Sequence, residues 1–86
     1  MTVRIDSHTI EQMTKRGTSE DEILEMLATE NEIDTKLGRK RKFKIFPFLN
    51  LWNGKYYEHK KVEVVYVTEQ NIITTVTVYV YYGIWL

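Results

Sequence analysis

The sequence predicts an α+β fold in which two N-terminal helices pack on a curved antiparallel sheet of three to four strands. Three observations predict it. The apolar period changes from helical to alternating after Thr29. Residues 1–34 carry three bases against nine acids, a charge of −6, whereas residues 35–86 carry nine bases against three acids, a charge of +6. The second part is also rich in β-branched and aromatic residues, separated by Leu37-Gly38, Asn53-Gly54 and Glu69-Gln70-Asn71, all turn-forming chemistry. A chain of 86 residues and 10.3 kDa has room for one core, so a single domain over 1–86 is expected.

Val3 to Ile5 reads as a short strand. Asp6 or Ser7 can cap a helix that runs to about Arg16, where Gly17 supplies the stop. On that helix Ile10, Met13 and Thr14 share one flank, and His8, Gln12 and Lys15 face away. Thr18 and Ser19 precede Asp21 and Glu22 at capping-box spacing, and those acids suit the dipole of a second helix. Its apolar face is expected to be Ile23, Leu24, Leu27 and Ala28, with Asp21, Glu22 and Glu25 toward solvent. A strand over Ile33 to Lys36 then turns at Leu37-Gly38 into another from about Arg39 to Phe46, which Pro47 ends or bulges. Val62 to Thr68 and Ile72 to Tyr82 form the central hairpin. On the last strand Thr74, Val76, Val78 and Val80 are expected under the helices, leaving Ile73, Thr75, Thr77, Tyr79 and Tyr81 on the other face.

Composition excludes several chemistries. There is no cysteine, hence no disulfide framework and no thiolate metal site, and a reducing cytoplasm is the expected location. The two histidines, His8 and His59, lack metal-ligand spacing, so neither metal nor cofactor is expected. Four isolated glycines make neither a phosphate loop nor a dinucleotide fingerprint. No apolar run approaches the ~20 residues of a membrane-spanning helix, and no signal-peptide pattern opens the chain.

His8-Thr9, Met13, Arg16-Gly17, Thr18-Ser19 and Glu22-Ile23, with Val76-Thr77-Val78-Tyr79, Tyr82-Gly83 and Trp85 near the other end, resemble the uncharacterised DUF 4258 family. Lys15-Arg16-Gly17 with Ser19 and Glu22 is further similar to a segment of BrnT-type toxins, which have the RelE-like fold. The chain departs from the BrnT pattern at Arg16, where histidine is usual, and at Thr9 and Thr18. The resemblance implies a toxin of a toxin–antitoxin pair, a metal-independent endoribonuclease acting on mRNA, free or ribosome-bound. It also implies a cognate antitoxin as partner.

Such cleavage needs a base for the ribose 2′-hydroxyl, cations for the pentacoordinate phosphate and an acid for the leaving oxygen. By residue type the catalytic candidates are His8, Arg16, Arg41 and Tyr79. Strand alternation divides the densest basic run into Arg39, Arg41 and Phe43 on one face and Lys40, Lys42 and Lys44 on the other. With Tyr81 these are the RNA-binding candidates, guanidiniums for phosphate and rings for base stacking. Each has a structural alternative. The lysines can guard an edge strand, His8 can bond a nearby loop, Arg16 can neutralise Glu20, and the tyrosines can be cross-strand packing. Opposite charges on the two halves can equally hold the fold together. A non-catalytic RNA-binding or protein-binding module of the same fold is the alternative function.

Overall fold

The computed structural model describes residues 2–29, 32–34 and 37–85. In chain order the elements are β1 (Thr2–Arg4), α1 (Ser7–Arg16), α2 (Glu20–Leu27), β2 (Glu32–Asp34), β3 (Lys40–Trp52), β4 (Lys55–Glu69) and β5 (Ile72–Gly83). The strands form one sheet in the order β1-β5-β4-β3-β2. The α+β class is as expected, but the sheet has five strands and is mixed, because β1 runs parallel to β5 through Thr2–Arg4 and Ile72–Thr74. The expected strand over Ile33 to Lys36 is β2, and its Thr35 and Lys36 lie outside the described residues.

Local chemistry sets the helix limits. Asp6 Oδ1 accepts from Thr9 N at 2.9 Å and starts α1. Gly17 ends it with φ 86, while Gly17 N and Thr18 N both donate to Met13 O at 3.0 and 3.1 Å. Ser19 Oγ accepts from Glu22 N at 3.3 Å at the start of α2. The turn residues Leu37 and Gly38 have φ 65 and 70, and Asn53 and Gly54 have φ 52 and 82, the signs a type I′ hairpin turn demands.

The buried faces differ from the wheel reading in three places. On α1 Thr9 is fully buried and Ile10 is exposed, because Thr75 on β5 offers a hydroxyl partner. Thr75 Oγ1 donates to Thr9 Oγ1 at 2.9 Å and accepts from Asp6 N at 3.1 Å. On α2 Ile23, Met26 and Leu27 are buried, at the i, i+3, i+4 spacing of one stripe, and Leu24 and Ala28 are exposed. Glu22 does not simply face solvent but bonds Lys60. On β5 the register slips where Val65 pairs with Thr77 but Tyr66 pairs with Thr75, leaving Val76 as a bulge. The bulge shifts alternation by one, so Ile73 and Thr75 join Val78 and Val80 under the helices in place of Thr74 and Val76.

Pro47 bulges its strand and does not end it. The register with β4 shifts between Pro47 and Asn50, Leu49 adopts φ 49, and β3 continues to Trp52. The β3–β4 hairpin therefore projects at one end of a molecule 42 × 27 × 22 Å in extent. The core lies where α2 meets Phe46, Val62, Val64, Tyr66 and Val78, each buried apolar side chain contributing about 1.5–3 kcal/mol. Both helices cover the same sheet face, so the opposite face is free of helices among the described residues.

Candidate nucleic-acid interface

Alternation on β3 separates the basic run as expected, and the sheet decides which half meets the helices. Lys40, Lys42 and Lys44 stand opposite Tyr66, Val64 and Val62, the core row of β4. The ammonium groups of Lys42 and Lys44 accordingly run along the sheet to α2, and that of Lys40 to the neighbouring strand β2. Lys42 Nζ donates to Leu27 O at 2.7 Å, satisfying the C-terminal end of α2. Lys44 Nζ pairs with Glu25 at 2.9 Å, and Lys40 Nζ with Glu32 at 3.5 Å. Glu32 also accepts from Tyr66 Oη at 2.5 Å, and that hydrogen bond, followed by Lys40, holds its carboxyl below the usual range. Lys42 and Lys44 thus tie the sheet to α2, Lys40 ties β3 to β2, and none of the three lies on the helix-free face.

That face carries the other half. Phe43 on β3 and Tyr79 on β5 both stand opposite Glu63 on the central strand β4, and Arg41 and Thr77 flank Val65 one pair further along. Ile45 and Tyr81 flank Lys61 on the other side. Glu63 is only 7% exposed although no helix covers it, because these larger side chains lean over it. Its carboxylate lies 3.6 Å from Arg41 Nη1 and 3.4 Å from Lys61 Nζ. The Lys61 ammonium is 4.7 Å from the Phe43 ring centroid. Arg41 Nε is buried and has no hydrogen-bond partner among the described residues, an unspent donor beside a paired Nη1. Tyr81 is 47% exposed. Arg39 is exposed just ahead of β3.

Arg16 reaches this face from behind. β1 pairs with Ile72–Thr74, so beyond Thr74 the outer edge of β5 has no neighbouring strand among the described residues. From the last turn of α1, Arg16 Nη1 donates to Val78 O at 2.6 Å, and its guanidinium lies 5.0 Å from the Tyr79 ring centroid. Tyr79 and Arg41 are therefore brought to one face around Glu63, with Arg16 at its edge beside Tyr79. His8 is not. It is exposed in the first turn of α1, eight residues and about 12 Å of helix from Arg16, on the layer behind the sheet. Sequence reasoning missed Glu63 and Lys61, whose only signal was a lone carboxylate in an otherwise β-branched strand.

At the projecting end a second arrangement forms on Tyr82. Its ring stacks on Trp52 at 4.8 Å and meets Phe48 at 5.2 Å and Tyr57 at 5.6 Å, and its hydroxyl donates to Arg16 O at 2.7 Å. Lys60 Nζ donates to Gly17 O and to Glu22 Oε1, both at 2.8 Å. Burial, and secondarily the Glu22 carboxylate, push the Tyr82 hydroxyl up from 10.0 to about 12. Because the folded value is raised, its contribution to stability is complete below pH 10 and is lost as pH rises toward about 12. An alkaline absorbance titration is expected to show a tyrosinate step near pH 12 that vanishes in Tyr82→Phe. A titration identical in the two proteins contradicts this environment.

His59 accepts from Trp85 N through Nδ1 at 3.2 Å, tying the chain after β5 to β4. Among the described residues no cluster of three or more His, Cys, Asp or Glu side chains is placed to hold a metal ion, and no helix is long and apolar enough to cross a membrane. Comparison with protein-family models, with curated proteins and with solved structures finds no match to this chain.

Proposed function

We propose that the helix-free sheet face binds single-stranded RNA, as a RelE-like domain of the kind the sequence resemblance implies. The observation that carries this reading is the grouping of Arg16, Arg41 and Lys61 with Phe43, Tyr79 and Tyr81 over adjoining strands. Cations on such a face meet phosphates, while exposed rings stack bases at about 1–3 kcal/mol each. Glu63 keeps Arg41 and Lys61 in place beneath the rings. Fluorescence anisotropy with a labelled oligonucleotide tests it. Affinity is expected to fall linearly on a log–log salt plot, with slope reduced by roughly 1–2 in Arg41→Ala/Lys61→Ala. No binding refutes the RNA reading, and a salt-insensitive interaction refutes phosphate contacts by these cations.

Cleavage as a BrnT-like toxin, neutralised by an antitoxin, is the second reading. It is favoured by the convergence of the Glu63 carboxylate, the Tyr79 hydroxyl and the cations Arg16 and Arg41 on one face. Those are groups able to take the 2′-hydroxyl proton, protonate the leaving oxygen and stabilise the phosphorane. In this reading His8 has no catalytic part. Induced expression in a bacterial host separates the two readings: growth arrest with transcript cleavage, abolished by Glu63→Gln, supports the toxin. Binding without either supports the non-catalytic module.

A further inference from the structure

β4 and β5 part after His59 and Gly83, the last pair of their ladder, so Lys55, Tyr56 and Tyr57 pair with β3 and not with β5. A cleft of about 400 Å³ opens there, lined by Lys55, Tyr56, Tyr57 and Glu58 on one side and by Tyr82, Gly83 and Ile84 on the other. Tyr56 is 55% and Ile84 62% exposed, so apolar surface faces solvent across an unfilled space. The Lys55 ammonium lies 5.6 Å from the Tyr57 ring centroid.

We propose that this cleft is a base pocket, which takes one unstacked nucleobase of an RNA strand whose neighbouring nucleotides lie on the helix-free face. The inference rests on the RNA-binding reading above. Three features of the cleft fit that occupant. The exposed ring of Tyr56 offers a stacking surface to any base, since every base has a π-face. Lys55 offers a point charge to the phosphate that enters with the base, in the half of the chain that carries the +6 excess. Glu58 offers a carboxylate to exocyclic amino groups, as carboxylates do toward cytosine. The cleft also continues the line of the proposed interface. Glu63, Lys61 and His59 precede it along β4, and the six residues from Glu63 to Tyr57 span about 20 Å. A strand that covers the open face is thereby long enough to reach the cleft. An extended peptide added to the free edge of Lys55–Glu58 is the competing occupant.

The test compares a short RNA of about four cytidines with one of about twelve by fluorescence anisotropy, bracketing the lower range of single-strand site sizes. The wild-type protein is expected to gain affinity with length, and Tyr56→Ala and Lys55→Gln are each expected to cut that gain about tenfold. Both positions are exposed, and matching thermal melts check that each variant is folded. If both variants keep the full gain while Arg41→Ala/Lys61→Ala loses affinity, the base pocket is overturned and the RNA-binding face stands. A peptide-binding edge gives that same unchanged length dependence. If the wild-type protein binds neither RNA, the functional reading itself is overturned.

Discussion

Gly17→Ala is expected to lower the thermal midpoint by about 8 °C or more, from a loss of at least roughly 2 kcal/mol at the 4–8 °C per kcal/mol usual for a domain of this size. Two separate penalties add at this position. Gly17 ends α1 with φ 86, a left-handed conformation that costs a residue with a Cβ about 1–3 kcal/mol. A Cβ there also meets the Tyr82 hydroxyl and lies 2.9 Å from the Trp52 ring, closer than packed atoms tolerate. Overpacking of that kind adds about 1–3 kcal/mol. Gly54 separates the two penalties, because it has φ 82 and nothing within 4 Å of where its Cβ would lie. Gly54→Ala therefore carries the conformational penalty alone and is expected to shift the midpoint by no more than half as much. Equal shifts in the two variants contradict the packing of the Tyr82 and Trp52 rings over the end of α1.

Glu22→Ala is expected to destabilise by about 2–4 kcal/mol, and Lys60→Met by only about 1–2 kcal/mol, although the two side chains share one ion pair. The asymmetry follows from burial. The Lys60 side chain is 9% exposed and that of Glu22 is 25% exposed. Without the carboxylate, a nearly buried ammonium keeps only Gly17 O as hydrogen-bond acceptor, with the Phe48 ring 5.7 Å away. Without the ammonium, Glu22 keeps its bond from Thr18 Oγ1 at 3.0 Å and its access to water. Methionine also fills much of the space of the lysine stem. Urea unfolding of the three proteins measures the difference. A larger loss in Lys60→Met would show that the lysine's chain packing outweighs its charge.

This pair shows where the charge asymmetry of the sequence leads. Opposite charges on the two halves suggested either a face for a polyanion or an internal attraction, and the structure shows the attraction. Lys42, Lys44 and Lys60 bind the helical layer and Lys40 pairs with Glu32 on β2, while Arg41 and Lys61 remain on the helix-free face. Period-2 alternation was enough to split the lysines of β3 from Arg41 and Phe43. It could not say which set meets the helices, because Lys42 and Phe43 are each compatible with either environment until β4 is laid beside them. Val62, Val64 and Tyr66 pair with the lysine row, and their burial under α2 decides the matter. The alternation on β5 failed at Val76 for a related reason. A bulge is a property of two strands in register, and Thr74-Thr75-Val76-Thr77 has no residue that announces it.

Features set by interactions within a few residues were legible in the sequence: the caps at Asp6 and Ser19, the stop at Gly17, the positive-φ turns at Leu37-Gly38 and Asn53-Gly54, and the two-helix, multi-strand α+β class. Their determinants are backbone sterics and side-chain-to-backbone hydrogen bonds that any isolated segment would feel. Only the tertiary structure decided that β1 joins the sheet in parallel, that β3 runs on through Pro47, and that Arg16 and Tyr79 meet across 62 or more residues of chain. The same holds for the burial of Glu63 between Arg41 and Lys61, and for the distance of His8 from all of them. These depend on which strand lies beside which, a choice made by the summed burial of apolar rows and not by any residue in its own sequence neighbourhood.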